Sequence, residues 1–150
     1  MELDLNETTP EEEMLVLDML VTDGLVEGDP ELRPHLDEWS SRAISLGPTI
    51  STLVGSRGAV LAQLGRYAEA KTLLDRAASA PDPSATDRFL NSLFLARAEH
   101  GLGNIDVART LMARARELIV PTPAFEQLYG ALIRSIEAEL ESSVAAQAPH

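Results

Sequence analysis

Histidines, clustered carboxylates, a glycine-flanked serine and a glycine-rich turn are the residue types that could do chemistry in this chain, and their spacing argues against each chemistry in turn. The histidines are His35, His100 and His150, far apart in sequence, and there is no cysteine to complete a soft metal site or act as a nucleophile. Glu11, Glu12 and Glu13 are consecutive. On a helix, successive side chains diverge by about 100°, so these carboxylates cannot converge on one ion and instead favour the positive end of a helix dipole. Gly101-Leu102-Gly103 is half of a dinucleotide-binding fingerprint, but it follows a helical pattern where a strand is needed and lacks the third glycine. Gly55-Ser56-Arg57-Gly58 comes near Gly-x-Ser-x-Gly without the strand–turn–helix context of a nucleophile elbow. No catalysis is expected of this chain, and no metal or cofactor.

With the chemistry set aside, composition bounds the scaffold. Across 150 residues, 45% are apolar but only 4% aromatic, so Leu, Ala, Val and Ile must build the core. That favours closely packed helices over a sandwich filled with large rings, and one domain is the default at this length. Positions 1–38 carry thirteen acids against one base, Arg33, whereas positions 39–150 carry eleven of each, which places the whole net charge of −12 at one end. Such a chain repels phosphate backbones, so nucleic acid and anionic membrane are disfavoured as main ligands. The first residues are acidic where a signal peptide is basic, and no membrane-length apolar run occurs. A cytoplasmic protein without direct membrane insertion is expected.

Helix punctuation is regular. Thr9-Pro10-Glu11-Glu12 supplies an N-cap, a first-turn proline and a capping-box glutamate, so a helix starts at Pro10. Gly28-Asp29-Pro30 ends it and opens a second, which carries Leu32, Leu36, Trp39, Ala43 and Leu46 and stops at Gly47-Pro48. A third helix runs from about Thr49 to Leu64, and a fourth from Tyr67 to about Ala80. After Pro81 and Pro83, Ser84 caps a fifth, which ends at Gly103; Asn104 caps a sixth that reaches Ile119. Thr122-Pro123 opens a seventh, with Phe125, Leu128, Tyr129, Leu132, Ile133, Ile136 and Leu140 on one stripe. The expected organisation is an acidic tail over 1–9, helix pairs over 10–48, 49–83 and 84–121, a capping helix over 122–142 with Arg134, Glu137, Glu139 and Glu141 facing water, and a disordered tail over 143–150.

An internal period runs through these pairs. Leu36 and Ala43, Ala70 and Ala77, and Ala108 and Ala115 are each seven apart, and the start of the pattern recurs from Leu36 to Ala70 and again, after a step longer by four, at Ala108. Small residues at Gly58, Ala70, Ala77, Ala96, Ala108 and Ala115 suit close approach of helix backbones, and the longer second step implies a wider junction near Ser79 to Ala85. Val54, Arg57, Gly58 and Leu61, then Gly65, Tyr67, Ala70 and Leu74, then Pro81, form a pattern that resembles the tetratricopeptide (TPR) family in its bacterial TPR-like form. The next unit follows with Leu95, Ala96, Gly103, Ile105, Ala108, Met112 and Pro121, but departs from the pattern at Ser92 and Glu99; the first matches only in Leu36, Ala43, Pro48 and helix length. The resemblance implies an all-α fold: a right-handed α-solenoid of about three TPR-like helical hairpins plus a C-terminal capping helix. Tyr67 would then wedge between the two helices of its own unit.

The resemblance also implies a function, a protein–protein interaction module that holds a peptide or helix of a partner in a concave groove lined by the first helix of each unit. The groove positions would be Thr52, Gly55, Ala59, Ala62 and Gln63, followed by Leu90, Leu93, Arg97, His100 and Gly101, with Arg97 and His100 as polar anchors. Two other roles stay open. RGAVLAQLGRYAEAKTLL is similar to repeats in the cytosolic part of some bacterial membrane metallopeptidases, which implies a regulatory extension of a larger enzyme, although His-Glu-x-x-His is absent. A self-associating structural protein would pair through Leu3, Leu5, Met14 and Met19 or through the last helix. The acidic stretch over 1–38 could in addition engage a basic protein surface.

Overall fold

The computed structural model describes residues 8–147, with side chains through Ser142. Leu3, Leu5, His150 and, of the expected tails, residues 1–7 and 148–150 lie outside the described residues. Seven α-helices follow one another within the described residues: α1 Pro10–Glu27, α2 Arg33–Leu46, α3 Ser51–Gln63, α4 Tyr67–Ala78, α5 Ala85–Gly101, α6 Ile105–Glu117 and α7 Pro123–Gln147. A single 3-10 turn, Pro30–Leu32, precedes α2, and no strand occurs among the described residues.

The helix starts rest on short polar caps. The Thr9 hydroxyl accepts from the Glu12 amide at 3.2 Å, that of Ser84 from Asp87 at 3.0 Å, and that of Thr122 from Phe125 at 3.2 Å. Asn104 does not cap α6 as its position suggests; its amide donates to the Glu99 carboxylate at 2.6 Å instead. Two turns are built alike. Gly65 and Gly103 adopt φ of 82° and 86°, which lets the next amide donate back to Leu61 and Glu99 carbonyls at 2.9 Å and folds α4 onto α3 and α6 onto α5. At the other end, α7 continues to Gln147, past the expected boundary at 142, because no glycine or proline interrupts the chain before Pro149.

Consecutive helices pack as α1 with α2, α3 with α4 and α5 with α6, and α2–α3 and α4–α5 contacts join the pairs. The small residues lie at those contacts: Gly58 is buried, and Ala70, Ala77, Ala96, Ala108 and Ala115 are all at most 2% exposed. A Cβ on Gly58 would stand 2.7 Å from Leu74 Cγ, so α3 and α4 approach as closely as they do only because that atom is missing. The odd-numbered helices form the inner layer, with α1 against α3, α3 against α5, and α5 against α7. Then α7 also packs on α1, so α1, α3, α5 and α7 close into a ring.

Three of the six aromatics hold α7 on α5. Phe89 of α5 meets Phe125 and Tyr129 of α7 edge-on at 5.1 and 5.4 Å, and those two are 4.8 Å apart. Ile136, Leu93 and Val21 complete the interior between α7, α5 and α1. Tyr67 departs from its expected place. Its ring lies on Gly101 at the end of α5, so it bridges to the following helix pair, and the bare backbone of Gly101 supplies the space.

Candidate functional site

The residues expected to face a partner come from two neighbouring inner helices, and the ring changes their surroundings. On α3, Ala59 and Ala62 are buried and Gln63 is half-buried; on α5, Leu93 is core, and Arg97 and His100 are half-buried. Thr52 lies at the opposite end of α3, where its hydroxyl is 3.4 Å from Asp87 Oδ2. Ala62, Gln63 and Arg97 are brought together around a cavity of about 390 Å³, which Tyr67, Arg33 and the α7 residues Ser135 and Glu139 also line. Thr52, Leu93 and His100 are not part of that lining. Ala59, Thr52 and Gly55 instead border a narrow cleft between α1, α3 and α5, with about 30 Å³ of free space, enough for one or two waters.

The helix that closes this face also supplies its ion pairs. Glu139 of α7, expected in water, takes Arg97 Nη2 at 3.2 Å, and that arginine side chain is only 11% exposed. Glu137 likewise pairs with Arg116 of α6 at 3.4 Å, and Arg134 with Glu126 along α7 at 2.6 Å. Among the described residues, Gln63 Oε1, Arg97 Nε and His100 Nε2 are buried with no hydrogen-bond partner. Each such group costs roughly 1–3 kcal/mol in lost hydration unless water reaches it.

Polar ties join the helix pairs elsewhere. Arg57 of α3 donates through Nη1 to the Asp37 carboxylate at 2.6 Å, the Asp37 carbonyl at 3.1 Å and the Ser40 hydroxyl at 3.0 Å, all on α2. Lys71 of α4 reaches Glu99 of α5 at 2.7 Å, where the carboxylate is 4% exposed and also accepts from Asn104. Burial pushes the Glu99 carboxyl up, but the bonds from Lys71 and Asn104 and the lysine charge outweigh it, so the net shift is downward. Glu99 is one of the two departures from the repeat pattern, and Lys71 is the reason a carboxylate is tolerated there. In the α1–α3 contact, Ser56 donates to Asp18 at 2.7 Å. Burial raises the Asp18 carboxyl; the Ser56 bond works against that, and the Asp87 charge adds to it.

One further surface has no sequence-level signal beyond composition. Helix α1 sends Val21 and Leu25 into the core, while on its outer face Leu15 is 73% and Met19 56% exposed, with Val16 and Leu20 beside them. These four form one outer stripe, since residues three and four apart share a helix face. The acids Glu12 and Asp23 cap it, one turn before Leu15 and Val16 and one turn after Met19 and Leu20. Of the residues named for self-association, Met14 is half-buried against Gly47, and Met19 lies in this stripe.

No protein-family model, curated protein or solved structure matches the chain. Among the described residues, no three His, Cys, Asp or Glu side chains are placed to hold a metal ion, and no helix is long and apolar enough to cross a membrane.

Proposed function

We propose that the chain is a TPR-like interaction module, a short stack of helical hairpins that holds another protein, and that the partner docks on the outer face of α1. The exposed Leu15, Val16, Met19 and Leu20 stripe carries this reading. Large apolar side chains left exposed side by side mark an interaction site. Burying a leucine- or methionine-sized side chain gains about 1.5–3 kcal/mol, so four of them can anchor a partner. The acids at both ends of the stripe, within a stretch over 1–38 that holds thirteen acids and one base, select a partner with basic flanks, such as an amphipathic helix with Lys or Arg at its ends.

Two rival surfaces fit less well. The inner face of α5 is packed on α7, so a partner that takes it must displace the buried Tyr129 from Phe89. A symmetric pair of α1 helices from two copies would set Glu12 and Asp23 near their own counterparts, which costs energy. Affinity capture with the wild-type chain and with Leu15→Glu/Met19→Glu tests the reading. The variant is expected to melt with the wild type, because both side chains are exposed, yet to lose the captured partner and the salt dependence of its binding. Recovery of the same partner by the variant would refute the assignment.

A further inference from the structure

A second surface differs from the α1 stripe in charge, place and shape. Between α5 and α6, under the end of α4, lies a cleft of about 430 Å³. It falls at the link between α4 and α5, and Pro83 of that link forms part of its wall. Leu95 on α5, Leu111 on α6 and Leu118 just past the end of α6 supply apolar sides, and Arg88 and Arg114 stand on the two helices that frame it.

Charge pairing singles these arginines out. The chain has 24 acids for 12 lysines and arginines, so a cation without a carboxylate is unusual. Nine of the twelve bond a carboxylate or, for Arg76, the Pro48 carbonyl. Among the described residues, Arg33, Arg88 and Arg114 have no such partner, and two of those three frame this one cleft. The polar residues of its floor, Asn91 and Ser92, likewise make no side-chain hydrogen bond within the described chain.

We infer that this cleft binds an acidic peptide segment of another protein, with a leucine-sized side chain between Leu95, Leu111 and Leu118 and carboxylates on Arg88 and Arg114. From Arg88 to Leu95, and from Leu111 to Leu118, each wall spans two turns of helix, about 10 Å, which matches about three residues of extended chain. The Ser92 hydroxyl can pair with a peptide main chain, whereas a hydrocarbon tail would leave it unmatched. The rest of the molecule is net acidic and repels such a ligand, so the attraction must come from these two arginines. The site is independent of the α1 stripe, and neither assignment needs the other.

The test is fluorescence anisotropy with a fluorescein-labelled Gly-Leu-Asp-Leu-Asp-Gly peptide and its Asn-for-Asp counterpart, on the full chain. The acidic peptide is expected to bind at least about tenfold more tightly than the neutral one, and to weaken by a similar factor in Arg88→Gln/Arg114→Gln. That variant should melt with the wild type, because neither arginine gives up a bond within the described chain. Leu15→Glu/Met19→Glu should bind the acidic peptide unchanged, which separates this site from the α1 face. Equal affinity for the two peptides, indifference to the arginine variant, or no binding up to about 1 mM would overturn the inference. So would decanoate binding more tightly than the peptide, or self-association that the arginine variant abolishes, since those assign the cleft to an amphiphile or to a second copy.

Discussion

Replacing Lys71 with methionine keeps the aliphatic stem across the α4–α5 junction and removes the charge that makes Glu99 tolerable there. The lysine sits 2.7 Å from a carboxylate that is 4% exposed. A charge-assisted hydrogen bond contributes about 1.5–3 kcal/mol, but the Lys71 side chain is 41% exposed, so water replaces part of it and about 1–2 kcal/mol is the expected loss. For a chain of this size that is a fall in Tm of about 2–8 °C near pH 7, read by circular dichroism at 222 nm. The exposed Lys71–Asp75 pair is lost as well, and Asp75→Ala measures its share, expected below about 0.5 kcal/mol. The pH dependence carries the sign. With its pKa below the ordinary glutamate range, folded Glu99 holds fewer protons than the unfolded chain across that interval. Its stabilisation is therefore present above the ordinary value and lost as pH falls through the folded pKa. The deficit of Lys71→Met must shrink in the same direction, since a protonated Glu99 no longer needs the lysine. A variant as stable as the wild type near pH 7, or a deficit unchanged at the lowest pH where both fold, would refute this account of the junction.

Two more substitutions probe the inner layer. Asp18→Asn keeps an acceptor for Ser56 and removes a carboxylate whose burial raises its pKa, a group that costs stability once ionised. The variant is expected to melt higher than the wild type near neutral pH, with the gain vanishing below the ordinary aspartate range. Gly58→Ala places a Cβ 2.7 Å from Leu74 Cγ and 3.3 Å from the Leu74 amide nitrogen. Overpacking of about 1–3 kcal/mol against about 1 kcal/mol of helix propensity leaves a net loss of about 1 kcal/mol in chemical denaturation.

The local grammar of this chain is readable from its residues. Thr9, Ser84, Gly65 and Gly103 punctuate helices because caps and left-handed turns are decided by neighbours in sequence. The burial of Gly58, Ala70, Ala96 and Ala108 follows from their recurrence at matched places in successive pairs. What stays hidden is non-local. Nothing in residues 123–140 distinguishes a helix that only covers the last pair from one that also reaches α1, because both uses need the same Tyr129, Ile136 and Leu140 stripe. Hence the pattern alone sets Glu139 in water and Gln63 and Arg97 on an open face. Tyr67 reads as a wedge inside its own pair because the Gly101 opening that receives its ring lies at the end of α5, in the next helix pair. Periodicity also fails on α1, where apolar residues at many angles are interleaved with acids, which conceals which of them face outward.

The central claim, that a partner is held on the outer face of α1 while α7 keeps the inner face, is tested most directly by hydrogen exchange on the captured complex. The account predicts new protection within Pro10–Glu27 and unchanged exchange in α7. Protection confined to the ends of α3 and α5, with faster exchange across Pro123–Gln147, would contradict it, because it would mean that the partner enters the inner face and lifts α7 away.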